Sequence, residues 1–169
     1  MLDFHYSDTW ADPGKQFMPA RWSGVPRTAL PDSVYAYTRA SLEALVGAGA
    51  APDLIQVGNE ISNGMMWPEA KTSPFDDANQ KLFGGCRACR DVCPEAKVII
   101  HTEKAGDWAF TKAFYDRLAT LDYDVIGLSY YPMWHKAVGV LSATLDSLAV
   151  RYPDKPVMIV ETAAFYSHA

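Results

Sequence analysis

The residues best placed to do chemistry are two glutamates. Glu60 closes the run DLIQVGNE (Asp53 to Glu60), and Glu161 sits near the end of KPVMIVET (Lys155 to Thr162), 101 positions later. Each run is short, apolar and bounded by turn-forming residues, the pattern of a buried strand that delivers an acid at its carboxyl end. In an α/β barrel those strand ends open on the active-site mouth. Two carboxylates meeting there can cleave a glycosidic bond, one protonating the leaving oxygen and the other acting as nucleophile or base. A lone acid after a strand is more often a helix cap or a surface residue, so the neighbours matter. Asn59 precedes Glu60 and offers an amide to a sugar hydroxyl. Tyr130 and Tyr131, ending DVIGLSYY, stand where they could hydrogen-bond a carboxylate, and His5 and His101 also end strand-like runs and would point into the same mouth.

The elements that must position these residues alternate along the chain. Strand candidates are Leu2 to Tyr6, Leu54 to Gly58, Lys97 to His101, Val125 to Ser129 and Val157 to Val160. Helix candidates between them are Ser33 to Ala48, Ala78 to Asp91, Trp108 to Leu121 and Val138 to Arg151. This βα alternation predicts an α/β fold with a parallel sheet. The segment Ser7 to Pro31 carries four prolines and two tryptophans without helical period. A long loop of that kind is usually functional, and its place after the first strand puts it on the face where the glutamates emerge. A complete (β/α)8 barrel takes roughly 250 residues. The 169 residues here hold about five βα units, so the expectation is one partial domain, an incomplete TIM-type barrel with unpaired outer strands.

Composition narrows the partners. With 15 basic and 20 acidic residues the formal net charge is -5, and no Lys/Arg cluster forms a nucleic-acid surface. No apolar run approaches the ~20 residues that span a bilayer, and Met1 is followed by the polar, aromatic text LDFHYSDTW rather than a leader peptide. Trp10, Trp22, Trp67 and Trp134 lie in loop-like text, where they could stack on sugar rings or simply fill gaps beneath loops. Cys86, Cys89 and Cys93 form C-x-x-C-x-x-x-C. Thiolates so spaced could share a zinc ion or an iron–sulfur cluster. The same spacing describes one apolar helix stripe, with Leu82 upon it, and no fourth ligand lies nearby.

Four segments carry a family resemblance: LDFHYSDTWADPGKQ (Leu2 to Gln16), IQVGNEI (Ile55 to Ile61), DYDVIGLSYYPMWH (Asp122 to His135) and PVMIVETA (Pro156 to Ala163). In this text the chain resembles the endo-β-1,4-galactanases of glycoside hydrolase family 53, retaining hydrolases of the galactan side chains of pectin. The resemblance implies that Glu60, on a fourth barrel strand, is the acid/base and that Glu161, on a seventh, is the nucleophile. It implies that Asn59 contacts a 2-hydroxyl and that His5, Asp8, Trp10, Tyr131 and Trp134 support substrate binding; from their strand-end positions, His101 and Tyr130 are expected to join them. It also implies third to seventh strands here, with the first, second and eighth outside the chain. No cofactor is implied for these residues; the calcium loop of some bacterial members would fall outside them. A secreted protein is the corresponding expectation. Other classes left open are a relative acting on another β-linked polysaccharide and a sugar-binding remnant without catalysis.

Overall fold

The computed structural model describes residues 1–67 and 75–163, with side chains from residue 81 onward in the second stretch. Five strands form one sheet: β1 (Leu2–Phe4), β2 (Leu54–Val57), β3 (Lys97–Thr102), β4 (Val125–Tyr130) and β5 (Val157–Thr162). All neighbours are parallel and the spatial order equals the chain order, β1-β2-β3-β4-β5. Each connection carries a helix: α1 (Leu30–Gly47), α2 (Phe75–Val92), α3 (Trp108–Asp116) and α4 (Val138–Arg151). A doubly wound sheet reverses direction at a switch point. Here the winding never reverses, and right-handed crossovers then put every helix on one face. That is the plan of an incomplete (β/α)8 barrel.

The register sorts side chains between the two faces. Leu2, Phe4, Ile55, Val57, Val98, Ile100, Ile126 and Leu128 pack with the helices in the hydrophobic core. The alternate set, in register across the sheet, is Asp3, Gln56, Ile99, His101, Gly127 and Ser129. The face away from the helices is therefore polar toward the strand ends, and the acids emerge there.

Helix α1 starts with Pro31 in its first turn and Asp32 against the positive end of its dipole. It buries Leu30, Val34, Thr38 and Leu42, one residue every turn. Its packing against α2 is close because α2 carries Gly84 and Gly85. A β-carbon on Gly84 would collide with the Pro31 carbonyl, and one on Gly85 with Val57. Gly84→Ala is expected to lower stability by about 1–3 kcal/mol through overpacking, while Gly47→Ala, in open space, should not; denaturant unfolding of the two variants checks this.

Cys86, Cys89 and Cys93 are all buried in the core, two of them on the sheet-facing stripe of α2 and the third just past its end. Burial pushes the Cys89 thiol up to about 12. Among the described residues no group of three His, Cys, Asp or Glu side chains is arranged to hold a metal ion, and no helix is long and apolar enough to cross a membrane.

Most element limits shift by a few residues from expectation, β1 for example ending at Phe4 instead of Tyr6, and two of the shifts are informative. The third helix stops at Asp116 rather than Leu121, and residues 117–120 form turns; the Asp116 carboxylate accepts from Arg151 at the end of α4 and from Tyr152 just past it, at 2.8 Å each. Leu118 and Leu121 are still buried, which explains their apolar spacing. The last strand runs on to Thr162, so Glu161 lies within it and not beyond it.

Candidate active site

Strand β2 ends at Val57, and the backbone then makes an unusual turn. Gly58 has φ +83°, and a β-carbon there would also press on Ile61 at 2.9 Å. Glu60 itself sits in the left-handed region, φ 47° and ψ 50°, which residues with a β-carbon seldom occupy. A short 3-10 turn, Ile61–Asn63, follows. The result tucks Glu60 over the polar face of the sheet, 8% exposed. Its Oε1 lies 2.6 Å from Ser129 Oγ on β4. Burial pushes the Glu60 carboxyl group up to about 7; the Ser129 hydroxyl pulls the other way when it donates, and the charges of Glu161, Glu103 and Asp12 add to the rise.

Glu161 reaches the same cleft through a bulge. Leu128 pairs with Ile159, but Ser129 pairs with Glu161, so Val160 is one extra residue in β5. Bulges re-aim the side chains that follow them. Glu161 is half-buried, and its Oε2 accepts a hydrogen bond from the Tyr131 hydroxyl at 2.9 Å. Burial, followed by that carboxylate, pushes the Tyr131 hydroxyl up to about 12, so it stays a donor at neutral pH.

Both glutamates line one open cleft of about 450 Å³, walled by Trp10, Asp12, Pro13, Glu103, Tyr131, Trp134 and His135. Trp10 and Trp134 are 68% and 72% exposed. Large indole faces left in solvent beside a groove suit stacking on a sugar ring. Trp22 and Trp67 are buried and fill the core beneath the loops. Exposure thus separates the four tryptophans into two at the cleft wall and two in the core.

Several expected site residues lie elsewhere. Asn59 is fully buried, with its Nδ2 donating to the Ala11 carbonyl at 2.9 Å. His101 is fully buried beneath Glu60 and does not open on the cleft; burial, with His5 nearby, pushes its imidazole down to about 3. His5 and Asp8 line a neighbouring hollow of about 180 Å³ with Arg21, Trp22 and Tyr37. His5 pairs with Asp3 at 3.0 Å, which raises its affinity for a proton. The Asp8 carboxylate accepts from the Ala20 amide at 2.7 Å and so holds the loop. The Tyr130 hydroxyl donates to the Lys136 carbonyl at 3.0 Å and reaches neither glutamate.

Conversely, Asp12, Glu103 and His135 line the cleft without having been singled out. Glu103 was within reach of the same rule that found the others, since it closes the run KVIIHTE. It is buried, accepts from Ser62 Oγ at 2.6 Å and pairs with Lys104 at 2.6 Å. Ser129 lies one place before the tyrosines that drew attention.

Comparison with known proteins adds to this geometry. The family model described as "Glycosyl hydrolase family 53" matches residues 1–169. The chain belongs to that family. Among relatives of the family 53 chain, a probable arabinogalactan endo-β-1,4-galactanase A of Aspergillus terreus is 36% identical over 172 residues, covering 95% of the chain and 49% of the relative. An uncharacterized protein of Niallia circulans is 42% identical over 173 residues, covering 96% and 47%. Among solved structures, the family 53 catalytic domain of Ignisphaera aggregans superposes with a TM-score of 0.90 at 37% identity, covering 95% of this chain and 45% of that one. One of two fungal β-1,4-galactanases gives 0.86 at 34% identity, covering 95% and 51%. The family 53 chain therefore spans about half the length of the curated relatives it matches.

Proposed function

We propose that this protein hydrolyses internal β-1,4-galactosidic bonds of galactan, such as the side chains of pectin, with retention of anomeric configuration. Glu60 is the proton donor and later the base; Glu161 is the nucleophile. The observation that carries the reading is the contrast between the two acids across one cleft. Glu60 is buried and holds its proton near neutrality, while Glu161 accepts a hydrogen bond from a phenol. A pair of carboxyl groups in unlike environments is how one site supplies both an acid and an anion. Trp10 and Trp134 flank the pair as stacking surfaces, and Tyr131 steadies the nucleophile. Asn59, His5, Asp8, His101 and Tyr130 support the cleft from beneath and beside it. A galactanase name on the Aspergillus terreus relative favours galactan over other β-linked polysaccharides. Such a polymer is met outside the cell, which agrees with secretion.

In the reaction, Glu161 attacks the anomeric carbon while Glu60 gives its proton to the departing oxygen. Glu60, now a carboxylate, then takes a proton from water, which displaces Glu161. The test is product analysis on β-1,4-galactan with the protein carrying this sequence. Oligosaccharides of mixed length, with the β-anomer first in the proton NMR spectrum, are expected. Binding without new reducing ends would mean a sugar-binding remnant, and the α-anomer first would overturn retention.

A further inference from the structure

Glu60 contacts a hydroxyl that also contacts a buried histidine, and the direction of that hydroxyl is set at the far end of the chain of contacts. Ser129 Oγ is 2.6 Å from Glu60 Oε1 and 2.7 Å from His101 Nε2. His101 Nδ1 is 2.9 Å from Asn59 Oδ1. A serine has one hydrogen to give, so it cannot donate to both the histidine and the glutamate.

The amide of Asn59 is oriented by its surroundings. Its Nδ2 donates to the Ala11 carbonyl at 2.9 Å, and its Oδ1 accepts from Gln56 Nε2 at 3.0 Å. The Gln56 amide is itself oriented by the Asp3 carboxylate, to which Nε2 donates at 2.8 Å. Turning Gln56 over would set two acceptors against each other there, and it stays put although its Oε1 has no partner. An amide oxygen only accepts, so the hydrogen of His101 is on Nδ1. The Glu60 backbone N–H, which can only donate, is also directed at Nδ1, at 3.4 Å, and favours the other tautomer; the 2.9 Å contact with Asn59 Oδ1 is much the shorter and governs. His101 is fully buried and among the described residues no carboxylate touches it, so the imidazole is neutral and Nε2 presents a bare lone pair. That lone pair takes the serine's hydrogen. Ser129 then faces Glu60 with lone pairs only, and two oxygens 2.6 Å apart need a hydrogen between them.

We propose that Asn59, His101 and Ser129 form a polarised hydrogen-bond chain that offers Glu60 an acceptor and not a donor, and thereby keeps its carboxyl group in the protonated form. The inference rests on the reading of Glu60 as the proton donor and makes the three residues positioning residues for it. Other groups facing Glu60 act in the same sense: Glu161 on β5, Glu103 after β3 with Lys104 paired to it, and Asp12 in the loop after β1. His5, at the end of β1, opposes any charge on His101, and His135 in the cleft wall is held neutral by burial. After Glu60 has given up its proton, the new carboxylate faces an oxygen with no hydrogen to share, which makes it a stronger base for the second half of the reaction.

A serine that simply donates to the carboxylate would stabilise the anion, so the two arrangements predict opposite signs. The experiment is carboxyl carbon-13 NMR titration of Glu60, its resonance assigned by loss in Glu60→Gln. No substrate is needed, so the result stands apart from whether galactan is cleaved. His101→Phe frees Ser129 to donate, and Ser129→Ala removes the acceptor. Both are expected to lower the Glu60 midpoint by about one pH unit, a tenfold weaker hold on the proton, while Ser129→Thr keeps it. A raised midpoint in Ser129→Ala, or an unmoved one in folded His101→Phe, overturns the proposal. Should the histidine variant not fold, the sign of the Ser129→Ala shift against Ser129→Thr decides alone.

Discussion

Glu161→Ala is expected to reduce the release of reducing ends from β-1,4-galactan by about 10⁴-fold or more, the scale on which loss of a covalent nucleophile is felt in other hydrolases. The substitution is well suited to the test because Glu161 is half-buried near the end of β5 and, among the described residues, its side chain bonds to one hydroxyl, that of Tyr131. Little of the core depends on it, so loss of activity with an unchanged melting curve isolates the chemistry. Stereochemistry makes the result specific. Azide added to Glu161→Ala would enter the space the carboxylate left, on the face opposite the leaving group. It would then convert an activated aryl β-galactoside to the α-galactosyl azide. Formation of the β-azide in this variant would mean that the two glutamates have been assigned the wrong way round.

Glu60→Ala should behave differently, and the difference depends on the leaving group. Galactan needs its departing oxygen protonated, so a loss of about 10²–10⁴-fold is expected. A dinitrophenyl β-galactoside departs without a proton, so its first step should be nearly unaffected. The second step would lack a base, and the glycosyl-enzyme should accumulate as a burst of released phenol. The pH profile follows with a definite sign. A carboxyl group raised to about 7 is half protonated there, whereas an ordinary glutamate near 4.3 would be protonated in roughly one molecule in several hundred. Activity on galactan should therefore fall as pH rises through about 7, and kcat/KM for the dinitrophenyl substrate should lose that limb. A galactan profile that stays flat to pH 9 would remove Glu60 from the role.

The sequence disclosed the scaffold well because the scaffold is an apolar pattern. All five strands and four helices lie near where the spacing of apolar and aromatic residues places them, since one face of every strand packs on helices. Strand ends were also legible, and with them both glutamates. What stayed hidden was the direction of side chains once the backbone leaves regular geometry. The bulge at Val160 and the left-handed turn at Glu60 carry no strong residue signature, Gly58 apart. Tyr130 and Tyr131 are adjacent and chemically identical, yet the pleat sends one to Lys136 and the other to Glu161. His101 and Asn59 read as cleft residues because they end strands; the overlying turn at Glu60 buries both. Ser129, a short side chain in an apolar strand, gave no hint of its two partners.

The backbone at Glu60 has a consequence for anyone engineering this protein. Its φ of 47° is one that glycine adopts freely and that charges other residues about 1–2 kcal/mol, and the side chain there is a carboxyl group kept out of water. Conformation and solvation both favour a glycine at position 60. Heat tolerance and turnover therefore pull in opposite directions at this one codon. With Glu60 as the proposed proton donor, a library ranked on thermal survival alone would discard the acid early and return robust molecules that have lost the group needed to cut a sugar chain.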